Sequence, residues 1–400
     1  MTGSDPFRAV CPAAPGPALG RRRFVALAGG LLAAPAIVRP ARAATTAVKF
    51  GQIEPLTGPS AAYGLRSRDG ARVAVDTINA AGGFHDSKGN VYTIDMQPDD
   101  MANDPRQAIT LYRQQALDPA VRATIGPTNS VGYVPLVPIA GQLRLVFVGE
   151  AGAPVKRWTP WAYRVDPVGG TAVPVVLTAV ANKEHFKRLG IIYDQTQDAQ
   201  AGDAEVCRQM KGKLGYDIVA DEAFSSGGQD FSPQIATIKN ARPDAIYVAS
   251  TTGDGVKVVP QLRAAGIDVP LMTGYGAFED PLYWNGTNGL IKGNYTWLAQ
   301  DLSAAKGDLR NWLDEYNKKF ENKATSYSTY GFDAVMSVVE CIKRAASIER
   351  DKIQEVMASL DYQSPLGTHV TFKNPPNGEN LTPTVTVVQV TGPGTYTAVS

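Results

Sequence analysis

Residues 48–83 read VKFGQIEPLTGPSAAYGLRSRDGARVAVDTINAAGG. The short apolar run 48–53 predicts a strand. A loop of small residues follows. Helical spacing of Leu65, Val73 and Ile78 then predicts a helix over 64–80, ended by Ala81-Gly82-Gly83. A strand that enters a helix through such a loop is the repeating unit of an α/β fold. The alternation continues outward, with strands predicted at 91–96, 121–125 and 145–148. Asp104 as N-cap with Pro105 behind it opens a helix to 117, and 133–142 reads as helical despite its prolines. A second set follows, with helices at 173–183, 201–214, 231–240 and 256–265. Its strands fall at 188–193, 216–222, 245–249 and 269–273. Two such sets predict an α/β protein of two doubly wound lobes, each a parallel sheet covered by helices on both faces. The tail differs: helices at 306–319, 324–346 and 353–360, a strand at 370–373, a Pro-Pro-Asn-Gly turn at 375–378 and a strand at 382–390. Three helices do not build a third lobe, so they are read as returning the chain to the lobes already formed.

The chain has 400 residues, 44% hydrophobic and 19% charged, which suits about two domains and excludes wholesale disorder. Lys and Arg number 39 against 38 Asp and Glu, a balance that argues against a nucleic-acid partner. Three His and three Cys argue against a multi-metal site, an iron–sulfur protein or a disulfide-stapled fold.

The N-terminus reads as an export signal. Arg21-Arg22-Arg23-Phe24 precedes an apolar run to Val38, and Ala41-Arg42-Ala43 has the A-x-A form of a cleavage site. The apolar run is shorter than the roughly 20 residues that span a bilayer. Arg21-Arg22 with Phe24 resembles a twin-arginine signal. Cys11 precedes the apolar run and so is no lipobox cysteine. Cleavage after Ala43 removes six Arg and one Asp, leaving 33 basic and 37 acidic side chains, a net charge of −4. The expectation is a soluble periplasmic protein. Cys207 and Cys341 fall on separate predicted helices and read as buried free thiols in preference to a disulfide.

Catalytic signatures are absent from the sequence. It contains no H-E-x-x-H, C-x-x-C, G-x-S-x-G or P-loop motif, and the first strand is not followed by G-x-G-x-x-G. His85, His185 and His369 have no local partner at ligand spacing and read as surface or capping residues. Asp99-Asp100, Asp221-Glu222 and Glu279-Asp280 read as caps and turns.

The informative segments are the loops at the carboxyl ends of the strands, residues 54–64, 126–130 and 149–154, where doubly wound sheets bind ligands. Ser130 precedes a helix. It reads either as a plain N-cap or as part of a carboxylate site at the positive end of the helix dipole. Leu56-Thr57-Gly58-Pro59 with Tyr63-Gly64, Ala80-Ala81-Gly82-Gly83 and Gly126-Pro127-x-x-Ser130 then occur in order. Ile192-Tyr193-Asp194, Leu262-Arg263-Ala264-Ala265-Gly266 and the heptad from Ser328 to Ala334 follow. Together, over about residues 47–390, they resemble the periplasmic leucine/isoleucine/valine-binding protein family, the solute receptors of ABC importers.

That resemblance implies a type I periplasmic binding protein, two Rossmann-like lobes joined by crossover hinge strands that close on a ligand. It implies one lobe from 44–167 and 299–365 and a second from 168–298 and 366–400. It also implies that Ser130, flanked by Thr128 and Asn129, holds a ligand carboxylate, that the Ala151 backbone contacts the ligand, and that Tyr63 lines the pocket. Gly152 stands where the family carries Thr or Ser. Ala199-Gln200 stands in the place of a second-lobe Tyr. Gly276, next to Tyr275, stands where an acidic residue meets the ligand ammonium, and Glu279 reaches that place only if the loop is shifted. A buried ammonium without an anion costs several kcal/mol. Two ligand classes therefore stay open: an amino acid held in a modified way, and an acid lacking the ammonium, stacked on Tyr63 and Tyr275. The expectation is a non-catalytic receptor without cofactor. Its partners are an amino acid or organic acid and the permease subunits of an ABC importer at the inner membrane. An exported enzyme and a ligand-sensing receptor domain are the alternatives.

Overall fold

The computed structural model describes residues 45–274, 277–373 and 377–399. The export signal, Cys11, Tyr275, Gly276 and the first half of the turn read at 375–378 lie outside the described residues. The first lobe runs β1 (Thr45–Glu54), α1 (Ala61–Ala80), β2 (Phe84–His85), β3 (Val91–Asp100), α2 (Pro105–Leu117), β4 (Val121–Thr128), α3 (Ser130–Leu143), β5 (Val146–Glu150) and β6 (Ala162–Arg164). Its sheet is ordered β2-β3-β1-β4-β5-β6. All its pairings are parallel except β2 with β3. Asp104 caps α2 as read, its carboxylate accepting from Arg106 N at 2.7 Å.

The second set runs α4 (Gly169–Glu184), β7 (Arg188–Asp194), α5 (Asp198–Leu214), β8 (Asp217–Phe224), α6 (Ser232–Ala241), β9 (Ala245–Ala249), α7 (Thr252–Ala264), β10 (Leu271–Met272), α8 (Pro281–Gly286) and β11 (Tyr295–Leu298). The tail adds α9 (Gly307–Lys319), α10 (Ser326–Ala345), α11 (Arg350–Met357), β12 (Asp361–Gln363), β13 (His369–Thr371), β14 (Thr386–Gly392) and β15 (Thr395–Ala398). The second sheet is ordered β15-β14-β11-β10-β9-β7-β8, with β14 antiparallel to both β11 and β15. Here β10 is only two residues long, against the five expected at 269–273. Pro270 carries no N–H for a ladder, so pairing begins after it.

Burial separates the two lobes. The first core joins Val48, Phe50, Ile125 and Phe147 to Val335, Val338 and Val339 of α10. The second sheet is covered on both faces: Val176, Leu177 and Cys207 of α4 and α5 make one cluster, Ile238, Val258 and Leu262 of α6 and α7 the other. Cys207 and Cys341 are free, buried, and in different cores. The expected boundary at 365/366 needs correction. Leu366, Val370 and Phe372 pack in the first core, because the β12–β13 hairpin folds back on it. The chain thus passes between cores after Val165, near Leu298 and after Phe372. The first and third passages lie side by side, with Arg164 N donating to Gly378 O at 2.9 Å and Asn380 N to Arg164 O at 3.1 Å.

Helix α10 carries the returning chain over α1 at backbone distance. A Cβ built on Gly70 would fall 1.8 Å from Ser328 O, and one on Gly331 2.1 Å from Ser67 O. The crossing therefore admits only glycine at both places, and it sets Tyr327 of α10 beside Tyr63 of α1, with ring centroids 4.6 Å apart. Gly331→Ala is expected to destabilise the protein by at least about 2 kcal/mol through overpacking. Urea unfolding checks this, and an unchanged midpoint would refute the close crossing.

Candidate ligand-binding site

The carboxyl ends of β1, β4 and β5 face the loops that follow β7 and β9 of the second lobe. Between them lies a small cavity, partly open to solvent. The first lobe contributes Ser60, Tyr63, Thr128, Asn129, Ser130, Glu150, Ala151, Gly152, Asp166 and Tyr327, and the second Gln197, Ala199, Gln200 and Thr251. Seven residues singled out from sequence meet here: Tyr63, Thr128, Asn129, Ser130, Ala151, Gly152 and Gln200. Tyr275 and Gly276 are outside the described residues.

The reading of Ser130 as a plain N-cap is wrong. Asn129 is the N-cap of α3, its side chain accepting from Gly132 N at 2.9 Å. Ser130 is left on the cavity wall, where its Oγ accepts from Ala153 N at 3.0 Å. The 151–153 loop is held from behind by Arg164. This fully buried guanidinium donates to Ala151 O, to Ala153 O at 2.7 Å and to Glu379. The cavity wall thus includes a hydroxyl at the positive end of a helix dipole, an arrangement that favours an anion.

The opposite character appears on the cavity floor. Ser67 Oγ lies 2.9 Å from Glu54 Oε1 and 2.8 Å from Glu150 Oε1, and Thr128 N donates to Glu54 Oε2 at 3.0 Å. Burial pushes the Glu54 carboxyl up to about 8 and Asp166 up to about 7. Glu150 is raised well above its ordinary value by burial and by its acidic neighbours Glu54 and Asp166. Sequence reasoning missed these acids. Glu150 lies inside a loop already marked as informative, but nothing in the linear sequence shows that its side chain faces Glu54. Glu150 and Asp166 both line the cavity, so carboxyl groups stand on its wall although Gly276 supplies none.

Contacts across the cleft accompany this geometry. The Tyr63 hydroxyl accepts from Thr252 N at 2.7 Å and lies 3.1 Å from Thr252 Oγ1. Arg66 Nη2 meets Asp280 Oδ1 at 2.9 Å, with side chains only 5% and 4% exposed. Glu279 does not reach the cavity. Its carboxyl accepts from Ser326 N, at the start of α10, at 2.9 and 3.0 Å, and burial pushes it up to about 8. Asp280 caps α8, its carboxylate accepting from Leu282 N at 2.9 Å. Among the described residues no cluster of three or more His, Cys, Asp or Glu is placed to hold a metal ion, and no helix is long and apolar enough to cross a membrane.

The buried acids set a pH dependence with a definite sign. Their folded values lie above their unfolded ones, so the folded chain holds protons that the unfolded chain gives up. That contribution is complete below about pH 4.5 and is lost as pH rises through about 8. The melting temperature of ligand-free protein should fall from pH 5 to pH 8.5, and Glu54→Gln should flatten the fall. A melting temperature that rises over this range would contradict the assignment.

Comparison with known proteins agrees with this architecture. The family model described as periplasmic binding protein matches residues 47–395. The leucine-, isoleucine-, valine-, threonine- and alanine-binding protein of Pseudomonas aeruginosa is 23% identical over 340 residues, 81% of this chain and 85% of that protein. The Leu/Ile/Val-binding protein homolog 1 of Brucella suis is 26% identical over 318 residues, 76% of this chain and 80% of that one. Among solved structures, the LivJ substrate-binding protein of Streptococcus pneumoniae with isoleucine superposes with a TM-score of 0.78 at 22% identity, covering 88% of this chain and 99% of that one. A solute-binding protein of R. palustris in complex with benzoate gives 0.75 at 17% identity, covering 88% and 96%. The chain belongs to the periplasmic binding protein family, as a solute-binding protein and not an enzyme.

Proposed function

We propose that this protein is the exported receptor of an ABC importer of the branched-chain amino acid type. It captures a small carboxylate-bearing solute by closing two lobes, divided near Val165, Leu298 and Phe372, and hands it to permease subunits at the inner membrane. The observation that carries this reading is one cavity lined from both lobes, together with buried polar contacts between those lobes. A ligand that touches both lobes favours the closed state by the difference in its affinity for closed and open forms. The ligand carboxylate sits at Ser130 and the start of α3, where hydroxyl and dipole both favour it. The relatives' amino acids and the neighbour's benzoate are all small carboxylates, which supports the class. The Arg21-Arg22 signal and the A-x-A site at Ala43 support delivery to the periplasm.

The test is a thermal-shift screen of ligand-free protein against amino acids and organic acids. A true ligand at a hundred times its Kd stabilises by about 2.7 kcal/mol. A screen with no selective hit would sink the receptor reading. Closure has its own prediction. Asp280→Asn keeps the helix cap but leaves the Arg66 guanidinium, still bonded to Lys323 O and Ala62 O, buried without a charged partner in the closed form. Breaking one partner of a buried pair costs about 3–5 kcal/mol, and about 1.4 kcal/mol is tenfold in affinity. Affinity should fall at least tenfold while the ligand-free melting temperature stays nearly unchanged. Equal affinity would show that the pair takes no part in closure.

A further inference from the structure

The cavity floor holds more information about the ligand than its carboxylate site does. The Ser67 hydroxyl is within hydrogen-bond distance of both Glu54 and Glu150, yet a hydroxyl has one proton to give. It donates to one carboxyl and must accept from the other, so the chain Glu54–Ser67–Glu150 keeps one acid proton. With a single proton on that chain, whichever way it runs, Glu150 Oε1 is engaged with Ser67 and Glu150 Oε2 is left as an acceptor. Glu150 Oε2 has no partner in good hydrogen-bond geometry, although the Thr128 hydroxyl, itself unpartnered, lies close enough to lower the carboxyl's value, and the residue, 2% exposed, lines the cavity. A ligand group seated there must be a donor.

We propose, resting on the receptor reading above, that Glu150 selects a ligand bearing an ammonium group, and that the proton held by Glu54–Ser67–Glu150 passes to solvent as the ammonium docks. The spacing suits such a ligand. Thr128 and Glu150 are register partners on β4 and β5, strands about 4.8 Å apart, and Ser130 begins α3 two residues beyond Thr128. A carboxylate at Ser130 and an ammonium at Glu150 are the two ends of an α-amino acid. The other charged groups around Glu150 agree. Asp166 adds negative charge on the same wall, while the Arg164 guanidinium is taken up by Ala151 O, Ala153 O and Glu379. Tyr63 and Tyr327 line the cavity with their rings stacked 4.6 Å apart. The anion is thus supplied by the first lobe, through a side chain at the end of β5, and not by the second-lobe position now held by Gly276.

The test is calorimetric titration of the purified, ligand-free protein with the twenty L-amino acids and, for each size, the corresponding acid without the amino group. Each titration is run in phosphate and in Tris at the same pH. The expected result is an amino acid that binds at least tenfold tighter than its deaminated counterpart, with heats that differ between buffers by the release of up to one proton. Affinity then strengthens as pH rises from about 6 to about 8, by up to about tenfold per unit, since Glu54 gives up its proton near 8. Glu54→Gln takes away the acid that shares the proton through Ser67 and should remove the buffer dependence. Glu150→Gln should erase the preference for the amino acid. Equal binding of amino acid and deaminated acid, or identical heats in the two buffers, overturns the proposal and leaves the receptor reading standing. Failure of folded protein to bind any member overturns both.

Discussion

Closing two lobes takes the Arg66 guanidinium and the Asp280 carboxylate out of water together. That is the constraint on which the rest of the molecule depends. Either charge buried alone is costly, so the closed form is available only when both arrive in register. Register is set by the scaffold. Arg66 lies on α1, α1 is pinned against α10 by the Gly70 and Gly331 crossing, and α10 begins at Ser326, whose N–H meets Glu279 one residue before Asp280. The same α1–α10 contact aligns Tyr63 with Tyr327 and so shapes the cavity. Packing deep in one lobe therefore decides both the ligand wall and the partner surface of the other lobe.

The cavity has two chemical ends, and each follows from topology. Parallel strands send their carboxyl ends to one edge of the sheet, where helix N-termini also gather. This brings Ser130 to the wall with the positive end of α3 behind it. The same edge brings the last residues of β1 and β5, Glu54 and Glu150, side by side with Ser67 between them. Acids so deeply buried hold protons that free carboxyls lose, and this links occupancy of the site to pH. Arg164 ties the floor to the hinge, since it holds the 151–153 loop and reaches Glu379 on the third passage between lobes.

Much of this was legible in the sequence because it is local. The alternation of apolar runs and helical spacing gave the element order, Asp104-Pro105 gave the start of α2, and small residues after β1, β4 and β5 marked the ligand edge. What escaped was long-range. Short strands such as β11 owe their identity to pairing with β14, which lies about ninety residues later. Residues 366–372 were assigned to the wrong lobe because a hairpin carries no signal of which core receives it. Glu150 was passed over for the same reason. Its meaning comes from Glu54 and Ser67, which are far away in the chain, and from a missing hydrogen bond that only coordinates reveal. Glu279 was weighed as a ligand partner from its place in the chain, but its carboxyl instead faces the start of α10.

The central claim is that ligand and cross-cleft contacts together close the two lobes. The direct measurement is a distance across the cleft, from spin labels at Gln107→Cys and Ser225→Cys, exposed positions just past the carboxyl ends of β3 and β8. Both native cysteines in the described lobes are buried, so labelling is selective. The account predicts one shorter distance when the stabilising ligand is added, and a mixture of distances when Asp280→Asn is present. A distance that does not change on saturation with a ligand that raises the melting temperature would contradict closure as the basis of binding.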